Sequence, residues 1–97
     1  MRTRIITLRI DNFKFTFELK VKKLDEKDVF DALNIICQDS IKAVKECSSN
    51  YSKQLRHNIL YSMDGQALKT LIDKDIDIKY IIRQCISCYK RGKKLWI

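Results

Sequence analysis

Residues 13–21, Phe-Lys-Phe-Thr-Phe-Glu-Leu-Lys-Val, alternate apolar and polar side chains over nine positions without a break. A run with this period buries its apolar set only as a strand with one covered face. The preceding segment, Ile6-Thr7-Leu8-Arg9-Ile10, alternates in the same phase, and Asp11-Asn12 between the two is a two-residue turn. Folding there sets Ile10 opposite Phe13, Leu8 opposite Phe15 and Ile6 opposite Phe17, so the apolar residues of both segments share one face. The product is a ribbon with an apolar underside and a basic upper side. Two strands alone are marginal in water, so the rest of the chain must cover the underside.

Beyond residue 24 the periodicity is helical. Asp25 reads as an N-cap, with Glu26 and Asp28 in the first turn, where the helix dipole favours negative charge. Val29, Phe30, Leu33, Ile36, Cys37, Ile41, Val44 and Cys47 recur at spacings of three and four, which predicts a helix over about 26–47 with a stripe fit to cover the hairpin. Ser48-Ser49-Asn50 is a break, after which Asn50 or Ser52 can cap a helix carrying Leu55, Ile59 and Leu60. Asp64-Gly65 is a turn signal. A second hairpin about that turn, with Ile59, Tyr61 and Met63 on one arm, is the alternative for residues 55–72. Gln66-Ala67-Leu68-Lys69 is rich in helix formers, which favours a short helix. Asp73 or Asp75 starts a last helix with Ile78, Ile81, Ile82, Cys85, Cys88 and Tyr89 on its stripe, and Gly92 is placed to end it in a left-handed conformation.

The expected fold is therefore α+β: residues 1–97 as a single domain, with a β-hairpin in 1–24 and a helical part with a basic C-terminal tail in 25–97. Proline is absent and glycine occurs twice, which suits a chain of hairpin and helices rather than long irregular loops. No run of about 18 apolar residues is present to span a membrane. The basic start leads into an alternating strand rather than the apolar block of a signal peptide, so a cytoplasmic location is expected, and the four cysteines are then reduced thiols.

The formal net charge is +8, and its distribution says more than its sum. Residues 1–24 hold seven Lys/Arg against two Asp/Glu, residues 25–50 three against six, residues 51–78 four against four, and residues 79–97 six against none. Basic charge thus sits on the hairpin and the C-terminal segment, with an acidic helix between them. Such a field favours polyanions or an acidic protein surface.

Catalytic and metal motifs are weak by comparison. Cys85-Ile86-Ser87-Cys88 is a C-x-x-C that, with Cys37, Cys47 or His57, could supply zinc ligands. A zinc knuckle wants a turn, however, and these cysteines sit in a helical stripe as buried thiols do. His57, the only histidine, stands between Arg56 and Asn58 with no assignable nucleophile or orienting partner. Asp73, Asp75 and Asp77 alternate like the start of a calcium loop, but the glycine and distal glutamate are missing, and helix capping accounts for them. There is no Gly-rich phosphate loop and no serine elbow. The expectation is a protein that is not an enzyme and uses no cofactor or metal.

On the outer face of the hairpin Arg9 opposes Lys14 and Thr7 opposes Thr16, with Lys20 and Lys22 extending the row and Glu18 interrupting it. Like charges opposed across strands repel mildly, which suits a face awaiting a counter-charge, as in ribbons that enter the DNA major groove. The alternative is a strand edge protected from aggregation by its lysines and arginines. A second patch comprises Arg83, Lys90, Arg91, Lys93 and Lys94, with Trp96 available to stack on a base or to fold back into the core. The opening ten residues resemble the strand of ribbon-helix-helix repressors, in which one strand pairs with its copy in a dimer and two helices come after it. Here a second strand intervenes, so no family assignment is carried over.

These features point to a small, basic, non-enzymatic nucleic-acid-binding or regulatory protein that binds DNA or RNA. Its composition is of a kind frequent in phages and other mobile elements. The alternative is an inhibitor or adaptor that blocks an acidic host protein through its basic surfaces and hairpin edge. That same edge makes a homodimer a further expectation.

Overall fold

The computed structural model describes residues 2–21, 26–46 and 52–95, with side chains for 3–21, 27–46 and 53–91. Strands β1 (Arg2–Ile10) and β2 (Phe13–Val21) form an antiparallel hairpin, succeeded by α1 (Glu26–Glu46), α2 (Ser52–Ser62), α3 (Gly65–Asp73) and α4 (Ile78–Leu95), an α+β arrangement. The strand register is the expected one, with Ile10 opposite Phe13, Leu8 opposite Phe15 and Ile6 opposite Phe17. Asp11 has φ 55°, and it alone in the two-residue turn is positive, the pattern of a type II′ hairpin turn. β1 starts at Arg2 rather than Ile6, so Ile5 joins the strand out of phase with its apolar neighbours and lies 71% exposed on the outer face.

Helices cover the ribbon's underside. Leu8, Phe15, Phe17, Leu19 and Val21 are buried against Val29, Leu33, Ile36 and Cys37 of α1 and Ile81, Cys85 and Tyr89 of α4, in one core. Phe13 and Phe15 pack on the Tyr89 ring with centroids 4.9 and 6.1 Å apart in edge-on geometry. The buried Ser40 hydroxyl lies 2.8 Å from the Cys37 carbonyl and 3.3 Å from the Tyr89 hydroxyl, so each of these buried hydroxyls has a partner. The stripe expected of α1 is buried at Val29, Leu33, Ile36, Cys37 and Ile41, while Phe30 is 44% exposed because the two-stranded ribbon does not reach that flank. Asp25 and Cys47 lie outside the described residues.

Residues 55–72 are helical apart from the short junction at Met63 and Asp64. Asp64-Gly65 is not a hairpin turn but a helix start: the Asp64 carboxylate accepts from the Gln66 and Ala67 N–H groups at 2.9 and 3.0 Å. The Asp64 N–H in turn donates to Asp39 of α1 at 3.0 Å, tying this junction to the first helix. After α3, the Ile76 N–H bonds the Leu71 carbonyl and the Asp75 N–H bonds that of Ile72, a Schellman stop with Asp75 at φ 59° in the place glycine usually takes. Neither Asp73 nor Asp75 therefore starts the last helix. Asp77 does, accepting from the Lys79 N–H at 2.9 Å. Gly92 does not end α4, which continues to Leu95 through the helix-forming Lys93-Lys94-Leu95.

Candidate polyanion-binding surface

The position of α4 decides how the basic residues are grouped. Residues on β2 that do not bond β1 turn their N–H and C=O groups to the far edge of the ribbon. Two side chains of α4 meet them there: the Tyr80 hydroxyl accepts from the Glu18 N–H at 2.8 Å, and the Cys88 thiol donates to the Lys14 carbonyl at 3.2 Å. Eight helical residues rise about 12 Å and four strand residues about 13 Å, so the helix matches the strand in length and runs antiparallel to it. The edge of β2 is thereby closed by side chains, without a third strand.

This docking sorts the candidate residues. Arg9 and Lys14 are an opposed, exposed pair next to the hairpin turn. Arg91, also exposed, is one helical turn beyond Cys88 and near enough to act on its thiol: burial pushes the Cys88 thiol up, and the Arg91 guanidinium pulls partly against it. Lys90 is exposed beside Arg91. Arg9, Lys14 and Arg91 thus gather at the turn end of the ribbon, while Lys90, about 200° around α4 from Cys88, is on the far side of the helix. Arg83 is exposed between Tyr80 and Cys88, level with the middle of β2. Lys20 is exposed toward the opposite end, about 20 Å of strand from Lys14 and beyond Glu18. Lys93 and Lys94 belong to the last turn of α4, which advances past the hairpin turn, while their side chains, Lys22 and Trp96 lie outside the described residues.

The described cysteines serve the core. Cys37, Cys85 and Cys88 are free and buried. The Cys37 thiol is pushed up by its hydrogen bond to Cys85 and by burial, and Tyr89 is pushed up by burial against the pull of Ser40. Among the described residues no three His, Cys, Asp or Glu side chains converge as a metal site would require. His57 is exposed on α2, its ring 4.5 Å from that of Tyr61. No described helix is long and apolar enough to cross a membrane.

Sequence reasoning did not find the two residues that fix this surface. Tyr80 lies off the α4 stripe, and Cys88 counts there as one more buried thiol; the only signal is their spacing of eight, which puts both near one side of the helix. It also passed over an open cleft of about 520 Å³ lined by Arg4, Ile5, Ile6, Thr7, Lys27 and Phe30, along the other edge of the ribbon. Comparison with known proteins returns no matching family model, no matching curated protein and no matching solved structure.

Proposed function

We propose that this chain is a small, non-enzymatic, cytoplasmic nucleic-acid-binding protein of a regulatory kind, which grips phosphates with the basic end of its ribbon. The observation that carries the reading is the attachment of α4 to the edge of β2 through Tyr80 and Cys88, because it brings Arg91, which acts on Cys88, toward Lys14 and its strand partner Arg9. Arg91 on one side and Arg9 and Lys14 on the other come from segments far apart in sequence, and their meeting brings like charges toward one another. A polyanion relieves that repulsion and releases its own counterions. Arg83 extends the contact along α4, and Lys93, Lys94 and Trp96 come next in the same direction along the chain. Lys20 and Lys22 then contribute at longer range.

The test is fluorescence anisotropy with labelled duplex DNA and single-stranded RNA across a salt series. Binding at micromolar concentration or tighter, with a salt slope of several counterions, is expected. Lys14→Ala and Arg91→Ala should each weaken binding regardless of sequence and lower the slope by about one. Absence of binding to either probe at low salt would sink the reading.

A further inference from the structure

The outer face of the ribbon carries more than positive charge. Between the opposed Arg9 and Lys14 at the turn end and Lys20 toward the other, its middle rungs are Thr7 opposite Thr16 and Ile5 opposite Glu18. All of these are exposed except the half-buried Thr16, and Ile5 is 71% exposed. The Glu18 N–H and the Lys14 carbonyl face α4. The Ile5–Glu18 and Arg9–Lys14 rungs, with Thr7–Thr16 between them, are therefore the narrow pairs of the antiparallel ladder, with Cα atoms about 4.5 Å apart. The outer face is thus a slim ridge of paired side chains, while α1 and α4 pack on the opposite face.

Phosphate contact alone makes no use of Ile5 or of Glu18, which phosphates repel. Base edges in the DNA major groove use both. Cytosine offers an amino donor to a carboxylate, thymine offers a methyl group to an aliphatic side chain, and threonine hydroxyls meet donors and acceptors alike. Glu18 also rejects guanine, whose edge there presents only acceptors. The groove fits the ridge as well: it is about 12 Å wide and admits a two-stranded ribbon. From Lys14 to Lys20 the strand spans about 20 Å, the rise of about six base pairs. A-form RNA closes its major groove to side chains, so the ridge selects duplex DNA. Resting on the polyanion reading above, we infer that the outer face of the ribbon enters the major groove of duplex DNA and reads a short sequence there. Ile5, Thr7, Thr16 and Glu18 meet base edges and supply discrimination. Arg9, Lys14 and Arg91 hold phosphates at the turn end, Lys20 does so at the other, and these four supply affinity and register.

The experiment uses the full chain to select from a pool of duplex DNA randomised over about ten base pairs, more than the ridge spans. The enriched duplex is then measured by anisotropy against a scrambled duplex, an RNA duplex of the enriched sequence and a single-stranded RNA. A preferred sequence of about six base pairs is expected, bound at least about tenfold tighter than the other three probes. Amide shifts on binding should fall at Ile5, Thr7 and Glu18. Ile5→Ala and Glu18→Gln, both at exposed positions, should lower the ratio of enriched to scrambled affinity without reducing the salt slope. Arg91→Ala should do the reverse, lowering the slope by about one and keeping the ratio. Enrichment of no sequence, with shifts confined to Arg9, Lys14 and Arg91, would overturn this inference and leave the phosphate reading standing. So would an RNA duplex or single strand bound as tightly as the enriched DNA. A free protein that sediments as a dimer, with Ile5 in contact between copies by isotope-filtered NMR, would overturn it by assigning the face to a second copy. Absence of binding to every probe at low salt would sink the inference and the reading beneath it together.

Discussion

Replacing Tyr80 with phenylalanine removes one oxygen and leaves the ring. That oxygen accepts from the Glu18 N–H at 2.8 Å, on the side of β2 that has no strand neighbour. Tyr80 is half-buried and Glu18 exposed, so water can reach the orphaned N–H and the full penalty of a buried unsatisfied donor does not apply. The loss is therefore that of an ordinary hydrogen bond, about 1 kcal/mol, within a range of about 0.5–1.5. For a domain of this size that lowers Tm by about 4–8 °C. The local effect is more specific than the global one. The Glu18 amide should exchange with solvent about fivefold to tenfold faster, since about 1.4 kcal/mol of lost protection is a factor of ten, while amides of the β1–β2 ladder change only as global stability does. Native-state hydrogen exchange tracked by NMR, with a urea titration for the global change, separates the two. Cys88→Ala probes the other attachment at Lys14, where a weaker thiol donor predicts a smaller local change. If the Glu18 amide exchanges at the wild-type rate in Tyr80→Phe and Tm moves by less than about 1 °C, α4 is not held on the β2 edge in this way, and the grouping of Arg91 with Lys14 loses its support.

Phe15→Ala, at a fully buried position touching Tyr89, should cost about 3–5 kcal/mol in urea unfolding, and a loss under about 1 kcal/mol would mean the ribbon is not packed as described. Asp64→Ala removes the acceptor for the Gln66 and Ala67 N–H groups, and a loss of about 1 kcal/mol is expected by the same assay. Tyr89 in the folded protein is pushed above its ordinary 10.0, so the unfolded chain ionises first. Its contribution is present in full below about pH 10 and declines above it by up to about 1.4 kcal/mol per pH unit, a decline that Tyr89→Phe should flatten.

The legible part of this fold is the part written in periodicity. Phe13, Phe15 and Phe17 announce both the strand and its register, because a slip by one residue would turn all three rings to solvent. The stripes of α1 and α4 are legible for the same reason, through Leu33, Ile36, Ile81 and Cys85. What periodicity does not carry is the width of the element on the other side. Phe30 sits beside Val29 at the margin of the stripe, and it is exposed because a ribbon of two strands is narrower than the helix face it meets. Local signals misled where several residues of one type compete. Of Asp73, Asp75 and Asp77, only the last caps α4, because Asp75 is taken by the Schellman stop. The basic residues of the candidate surface were legible one by one as Arg9, Lys14 and Arg91. Their assembly was not, because it depends on a tyrosine and a cysteine meeting a strand edge more than sixty residues away in the chain.

The unequal treatment of the two ribbon edges also limits how far this protein can grow by sheet extension. A protomer able to propagate a filament needs two complementary open edges, so that each addition regenerates a growing end. Here the side of β2 is occupied by α4 through Tyr80 and Cys88, so among the described residues a second copy that joined β1 would bring no further open edge. Pairing of two copies along β1 is self-terminating after one step. A ribbon whose apolar strands would be an aggregation hazard in isolation is thus limited to finite complexes by one well-placed helix.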